Sequence, residues 1–142
     1  MKIISLSQNI NHLLESTVLW SYDHELKLKT GINHIAAMFS GVPPIHNHEG
    51  HLLLTEQSLI ITGDRDIIIS LNDIEQLYVG FDDNYKRNFV KNFGAFCQPL
   101  RIKAHNGITS TTIYLILDYN LSNFLGNSKN QTLYNMLQEL LS

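Results

Sequence analysis

Short apolar runs rich in β-branched residues, separated by turn signals, constrain the fold of this chain more than any other feature. The turns at Glu56-Gln57 and Asn106-Gly107 predict hairpins between neighbouring runs. The runs predict seven strands, at residues 33–39, 51–55, 58–63, 67–70, 74–80, 100–104 and 111–117. Two prolines and two glycines place residues 41–50 in a loop between the first two strands.

Two segments show the spacing of an amphipathic helix. The clearer one is at the C-terminal end, where apolar residues recur at i, i+3, i+4, i+7 and i+8: Leu133, Met136, Leu137, Leu140 and Leu141. A similar spacing near the start, in Ile10, Leu13, Leu14 and Val18, predicts a short helix. We expect extended chain after this helix. We therefore expect an N-terminal extension over residues 1–32 and a main domain over residues 33–142.

Composition excludes several classes of protein. A chain of 142 residues with 44% hydrophobic residues is too apolar for a disordered protein. No apolar run is longer than five residues, so the sequence predicts no membrane-spanning helix. The net charge of −3 argues against a nucleic-acid partner, which normally needs a basic surface. The single cysteine, Cys97, forms no internal disulfide, and the first residues carry no signal-peptide pattern, so we expect a cytoplasmic protein.

Seven short strands followed by one amphipathic helix resemble the pleckstrin-homology-like (PH-like) superfold. Gly50-His51-Leu52-Leu53-Leu54-Thr55, followed by Ile67-Ile68-Ile69-Ser70-Leu71, is similar to the bacterial PH and GRAM-type subgroup, and residues 49–102 resemble uncharacterised bacterial proteins of that type. The resemblance implies a mainly β fold, in which a seven-stranded, partly open barrel is capped by one helix. The scaffold implies binding of phosphoinositides, peptides or partner domains, and it does not by itself choose among them.

The loop predicted at residues 41–50 and the strand after it place three histidines close together in sequence. His46, His48 and His51, with Glu49 among them, could ligate a transition metal or form a small-ligand site. The alternative is a solvated loop whose histidines have no common role. Residues 40–50 contain no Lys or Arg, and residues 41–80 carry Arg65 against six acidic residues. This balance disfavours an anionic lipid head group and a membrane surface.

An aromatic and basic segment at residues 80–98 is the main candidate for a partner surface. Its rings recur every four residues and alternate with cations: Phe81, Tyr85, Lys86, Arg87, Phe89, Lys91 and Phe93. Such rings with cations at the rim are typical of protein–protein contacts. The alternative is a short helix whose rings pack on the sheet.

Catalytic motifs are weak in this sequence. Cys97 lies eight residues before His105, but spacing alone does not make a nucleophile and base pair. We therefore predict a non-catalytic binding module without a cofactor. Its expected partner is a protein or a second copy of the chain, bound by segment 80–98 or by an exposed sheet edge through strand addition.

Overall fold

The computed structural model describes residues 12–27, 46–86, 98–119 and 129–142. The strands are β1 His12–Tyr22, β2 His48–Thr55, β3 Ser58–Gly63, β4 Ile67–Ser70, β5 Ile74–Val79, β6 Leu100–His105 and β7 Ser110–Leu117. The helices are α1 Asp23–Leu26, which is a single turn, and α2 Lys129–Leu141. One 3₁₀ turn, Leu71–Asp73, connects β4 to β5.

All seven strands belong to one antiparallel sheet in the order β4-β3-β2-β1-β7-β6-β5. β4 and β5 are its two edges, and no ladder joins them within the described ranges, so the barrel is not closed. Helix α2 packs against β5, β6 and β7. The predicted fold class is confirmed: a mainly β sheet with one C-terminal helix, as the PH-like resemblance implies.

The predicted N-terminal helix over residues 10–18 is wrong from His12 onward, because these residues form strand β1. Every second side chain from Ser16 to Trp20 is buried, which is the period of a strand and not of a helix. β1 pairs with β2 on one side and with β7 on the other, so both neighbours satisfy its backbone hydrogen bonds. Residues before position 32 therefore supply a central strand. The extended chain predicted around Leu26 and Leu28 is wrong at Leu26, which lies in helix α1, and Leu28 lies outside the described residues.

Two other predictions concern the loop at residues 41–50 and the strand at residues 33–39. His48, Glu49 and Gly50 were expected in a loop, but they begin β2, because they pair with β1 from Trp20 to Val18. The predicted strand at residues 33–39 lies outside the described residues. From Ser58 onward, the predicted strands lie within one residue of the observed ones at every boundary.

The sheet carries apolar side chains on both faces. The main core lies inside the curved sheet and contains Val18, Trp20, Leu52, Ile61 and Leu115, among others. A second cluster covers the outer face of β1 and β7 and contains Leu26, Tyr85, Tyr114 and Ile116. All residues of β7 from Ile113 to Leu117 are therefore buried, as expected for a strand that is covered on both sides.

The predicted C-terminal helix is confirmed, and its apolar stripe is buried at Leu133 and Leu137 but not at its end. Leu133 and Leu137 enter the main core, whereas Leu140 and Leu141 stay 37% and 39% exposed. Asn130 fixes the start of α2, because its side chain donates to Leu115 O at 3.1 Å and accepts from Leu117 N at 2.8 Å. Within the ranges that the structure describes, neither helix has the length and apolar content needed to cross a membrane.

Candidate binding surface at the open end of the barrel

One end of the barrel gathers several of the residues that the sequence singled out. The registers Trp20↔His48, Gly50↔Gly63 and Tyr22↔Ile113 align the end of β1 with the start of β2, the end of β3 and the start of β7. The β3–β4 turn and the β6–β7 turn lie at this same end. We call it the open end.

His48 occupies a buried position at the open end and is 8% exposed. Its Nδ1 lies 2.7 Å from Asp64 Oδ2, and its Nε2 lies 2.7 Å from Glu25 Oε2. The ring stacks on Trp20, with 4.3 Å between centroids and 28° between planes. Each ring nitrogen of His48 thus faces a carboxylate oxygen at hydrogen-bond distance. The three residues Glu25, His48 and Asp64 form a clasp, which joins α1, β2 and the β3–β4 turn.

A close approach of β2 and β3 brings Asp64 to this clasp. A Cβ on Gly50 would collide with the carbonyl oxygen of Thr62, so glycine is required where the two strands meet. Gly63 has φ of +146°, and the chain then turns into β4, which runs back along β3. Asp64 Oδ1 accepts the Glu49 amide at 3.1 Å. The hydrogen bond from His48 lowers the pKa of the Asp64 carboxyl, and the Glu49 amide adds to this effect.

The three histidines of the predicted metal site contact different carboxylates. His46 Nε2 lies 3.0 Å from Glu49 Oε2, and His51 Nε2 lies 3.3 Å from Glu15 Oε2. His48 contacts neither of these acids in the clasp described above. Among residues 12–27, 46–86, 98–119 and 129–142, no group of three or more His, Cys, Asp or Glu residues could hold a metal ion. The three histidines therefore make four separate carboxylate contacts, where the sequence suggested one shared centre.

A cavity of about 210 Å³ opens between edge strand β4 and the β6–β7 hairpin. Polar groups of the wall come from Asp73, His105, Asn106 and Thr111. The rest of the wall is mainly apolar and consists of Tyr22, Ile67, Ile68, Ile69, Ile102, Ala104 and Ile113. Ile68 is 72% exposed on the edge strand, and Ile108 is 90% exposed in the β6–β7 turn. We call the cavity together with the free edge of β4 the β4 groove.

The first part of the aromatic and basic segment packs on the outer face of the sheet. Tyr85 is 2% exposed and lies 5.7 Å from Tyr114 between ring centroids. Phe81 packs against the same cluster, and Lys86 is exposed. The remaining candidates lie outside the described residues: Arg87, Phe89, Lys91 and Phe93. A partner surface on segment 80–98 therefore stays a prediction, and the described ring of Tyr85 serves as packing.

Asp82 holds this segment to the sheet. Its Oδ1 accepts the amides of Asn84 and Tyr85, each at 2.8 Å. Its Oδ2 accepts Arg101 Nη1 at 2.8 Å and the Tyr114 hydroxyl at 2.7 Å. Partial burial by itself raises the pKa of the Asp82 carboxyl, but these four hydrogen bonds outweigh it, and the pKa is lowered. Burial and the contact with Asp82 raise the pKa of Tyr114 far above its usual range.

The sequence did not indicate two of these features. The bonds of Asp82 to Arg101 and Tyr114 cross 19 and 32 residues, and no local spacing encodes them. The β4 groove depends on how far the sheet curves, which strand patterns do not specify. A usable signal was the composition of β4, because Ile67-Ile68-Ile69-Ser70 has none of the charges that usually protect an edge strand.

No family model and no curated protein matches this chain. Among solved structures, the hSac2 domain from human phosphoinositide phosphatase Sac2 is similar, with a TM-score of 0.50 and 14% identity over 98% of this chain and 80% of that chain. A complex of PDZ-RhoGEF DH/PH domains with GTP-gamma-S activated RhoA gives a TM-score of 0.48 and 14% identity. That match covers 94% of this chain, which spans only 30% of the other one.

These likenesses concern the fold alone, because identity is low in both cases. The seven-stranded open sheet with its C-terminal helix has the architecture of a PH-like fold, and the match to the hSac2 domain concerns this fold alone. The fold defines a scaffold with several possible binding surfaces, so its function must be argued from the residues at those surfaces.

Proposed function

We propose that this chain is a non-catalytic module that recognises a protein partner by strand addition at edge strand β4. The observation that carries the proposal is an unprotected apolar edge. β4 pairs only with β3 within the described residues, and Ile68 on it is 72% exposed. Natural proteins usually protect such edges with charges, Pro or bulges, because a free edge is a template for another strand.

The other edge of the sheet differs from β4. β5 carries exposed polar residues at Glu75 and Gln76, and helix α2 packs against it. Ser110 Oγ also donates to Glu75 Oε1 at 2.8 Å, which ties the β5 edge to the β6–β7 hairpin. Of the two edges, β4 is therefore the one that we assign to recognition.

The strand motifs at residues 50–55 and 67–71 support a relation to the bacterial PH and GRAM-type subgroup. The acidic side chains at the open end disfavour a phosphoinositide head group, which would meet like charge there: Asp23, Glu25, Glu49 and Asp64. We prefer β4 to segment 80–98 because the ring of Tyr85 is already buried against Tyr114.

Site-specific photo-crosslinking in the host cell tests this proposal. A photoreactive phenylalanine analogue at position 68 is compared with the same analogue at Leu141, an exposed apolar position on helix α2. We expect a discrete adduct of one partner protein from position 68 and none from position 141. Equal adducts from both positions, or none from position 68, would contradict recognition at β4.

The variant Ile68→Lys provides the matching loss of function. A charge on the free edge should abolish copurification of the crosslinked partner. Because Ile68 is exposed, the free energy of unfolding should change by no more than about 0.5 kcal/mol. Leu141→Lys serves as the control and should leave copurification intact.

A further inference from the structure

We infer that the β4 groove binds a short extended peptide that has an apolar centre with Lys or Arg on each side. This inference rests on the proposed function, because it specifies the ligand of the same edge strand. It follows from the size of the cavity, the pleat of β4 and the charges that flank this strand.

The cavity fits one side chain of a larger partner. Its volume of about 210 Å³ is below the range of roughly 300–1,000 Å³ for pockets that enclose drug-sized ligands. Isoleucines from three strands line it: Ile67, Ile68 and Ile69 on β4, Ile102 on β6 and Ile113 on β7. An aliphatic side chain entering this space would replace water beside apolar surface, which favours binding.

The pleat of β4 sets how a peptide would lie. Ile67 and Ile69 pack against the main core, whereas Ile68 between them is exposed. A strand added to β4 continues this alternation, so every second side chain of the peptide points toward the cavity. The side chains between them lie on the same face as Ile68. Ile108, 90% exposed in the turn beside the cavity, extends the apolar surface.

Acidic residues stand on both sides of β4. Asp66 directly precedes the strand, and Asp73 lines the cavity just after it. Residues 63–75 carry four acids and one cation, Arg65: the acids are Asp64, Asp66, Asp73 and Glu75. On β6, Lys103 alternates with the cavity-lining Ile102 and Ala104, which places it on the other face of the pleat.

The described part of the cavity wall contains no Lys or Arg. His105 Nδ1 accepts the amide of Gly107 at 3.0 Å within its own turn. Arg65 is the one cation in residues 63–75 against four acids, so an acidic peptide would meet the net negative charge of this segment and Asp73 in the cavity wall. A peptide with Lys or Arg beyond each end of its apolar centre is complementary in charge to the β4 groove.

A titration of ¹⁵N-labelled full-length protein by NMR tests the inference. The probes are acetyl-Lys-Val-Leu-Val-Thr-Lys-amide, its analogue with Glu in place of both Lys, and its analogue with Gly in place of the apolar residues. We expect only the first peptide to shift the amide signals of residues 67–70 and 104–106. Its affinity should fall when salt rises from about 0.05 to 0.5 M, because screening weakens contacts between exposed charges.

Charge variants make the test specific. Asp66→Asn with Asp73→Asn should weaken binding of the first peptide by about tenfold, since two exposed contacts together are worth about one factor of ten. Glu139→Gln, an exposed acid on helix α2, is the control and should leave binding unchanged. The Asn replacement keeps an acceptor for the Gly63 amide, which now donates to Asp66 Oδ1 at 3.2 Å.

The outcomes separate this inference from the proposed function. Equal binding of the Lys and Glu peptides at β4 would overturn the charge preference while strand addition stands. Binding of the Gly analogue would overturn the role of the cavity. Loss of all peptide binding overturns the inference, and the crosslink at position 68 still decides the proposed function. Dimerisation through β4, detected by sedimentation, would identify a second copy as the occupant and would also overturn it.

Discussion

The side chain of Asp82 accepts four hydrogen bonds and thereby joins three parts of the chain. Two go to amides of its own turn, one to Arg101 on β6, and one to Tyr114 on β7. Arg101 in turn lies over the ring of Tyr78, 4.7 Å from its centroid. All four bonds of Asp82 are strongest for the ionised carboxylate, so its protonation is linked to stability.

We predict that Asp82 contributes to the loss of stability in acid. Its pKa is lowered in the folded protein, so the stabilisation is fully present above the ordinary pKa of about 3.9. It is lost as pH falls through the lower folded-state pKa. Urea unfolding from about pH 7 to about pH 3 should show a smaller decline in unfolding free energy for Asp82→Asn than for the wild type. Asp83→Asn, at the exposed neighbour, should decline as the wild type does.

Single residues of this kind were hard to predict from the sequence. Asn130 stood within the predicted C-terminal helix as an ordinary polar residue, yet it is 1% exposed and bonds Gln98, Leu115 and Leu117. Its partners are 13 to 32 residues away, so no local pattern identifies them. Burial of the apolar positions Leu133 and Leu137, in contrast, follows from their spacing.

Among the secondary-structure elements, the clasp at His48 joins helix α1 and the β3–β4 turn to strand β2. Helix α1 has only one turn, and a helix of this length is not stable in isolation. The β3–β4 turn begins at Gly63 and reaches the clasp through Asp64. Both bond to the ring of His48, which is buried against Trp20.

We predict that His48→Ala loosens helix α1 and the β3–β4 turn together. Amides of residues 23–26 and 63–66 should exchange with solvent faster, and the protein should lose about 2 kcal/mol or more of unfolding free energy. His51→Ala is the matched control, because its contact with Glu15 is exposed and longer. Similar exchange in both variants would show that the clasp does not restrain these elements.

The elements were predictable where local patterns and tertiary environment agree. From Ser58 to Leu117 the strands alternate or are continuously apolar between turn residues, and their predicted ranges are nearly those observed. The prediction for the residues of β1 was wrong because Leu13, Leu14 and Val18 fit one face of a helix as well as they fit a strand. Pairing with β2 and β7 makes these residues a strand, and the eleven residues of β1 alone do not reveal that pairing.

At the scale of the whole molecule, β1 connects the two halves of the sheet. β2, β3 and β4 lie on one side of it, and β7, β6 and β5 lie on the other. The main core draws Val18 and Trp20 from this strand, and Leu19 packs against the second cluster on the outer face. β1 thus contributes to both apolar clusters as well as to both ladders.

We predict that a chain of residues 33–142 does not fold. It lacks β1, so β2 and β7 each lose a ladder and both clusters lose side chains. A chain of residues 12–142 keeps every described strand and should give a dispersed NMR spectrum with cooperative unfolding. This comparison tests the division of the chain at residue 32. A well-dispersed spectrum from residues 33–142 would show that they form a domain without β1.

The stack of Trp20 on His48 has an optical consequence. Trp20 is the only tryptophan in the chain, so all of its indole fluorescence arises at the open end of the barrel. The ring is 1% exposed, and its Nε1 has no hydrogen-bond partner among the described residues, an apolar setting in which indole emits at short wavelength. The chain therefore carries its own spectroscopic reporter, two residues along β1 from Tyr22 in the cavity wall.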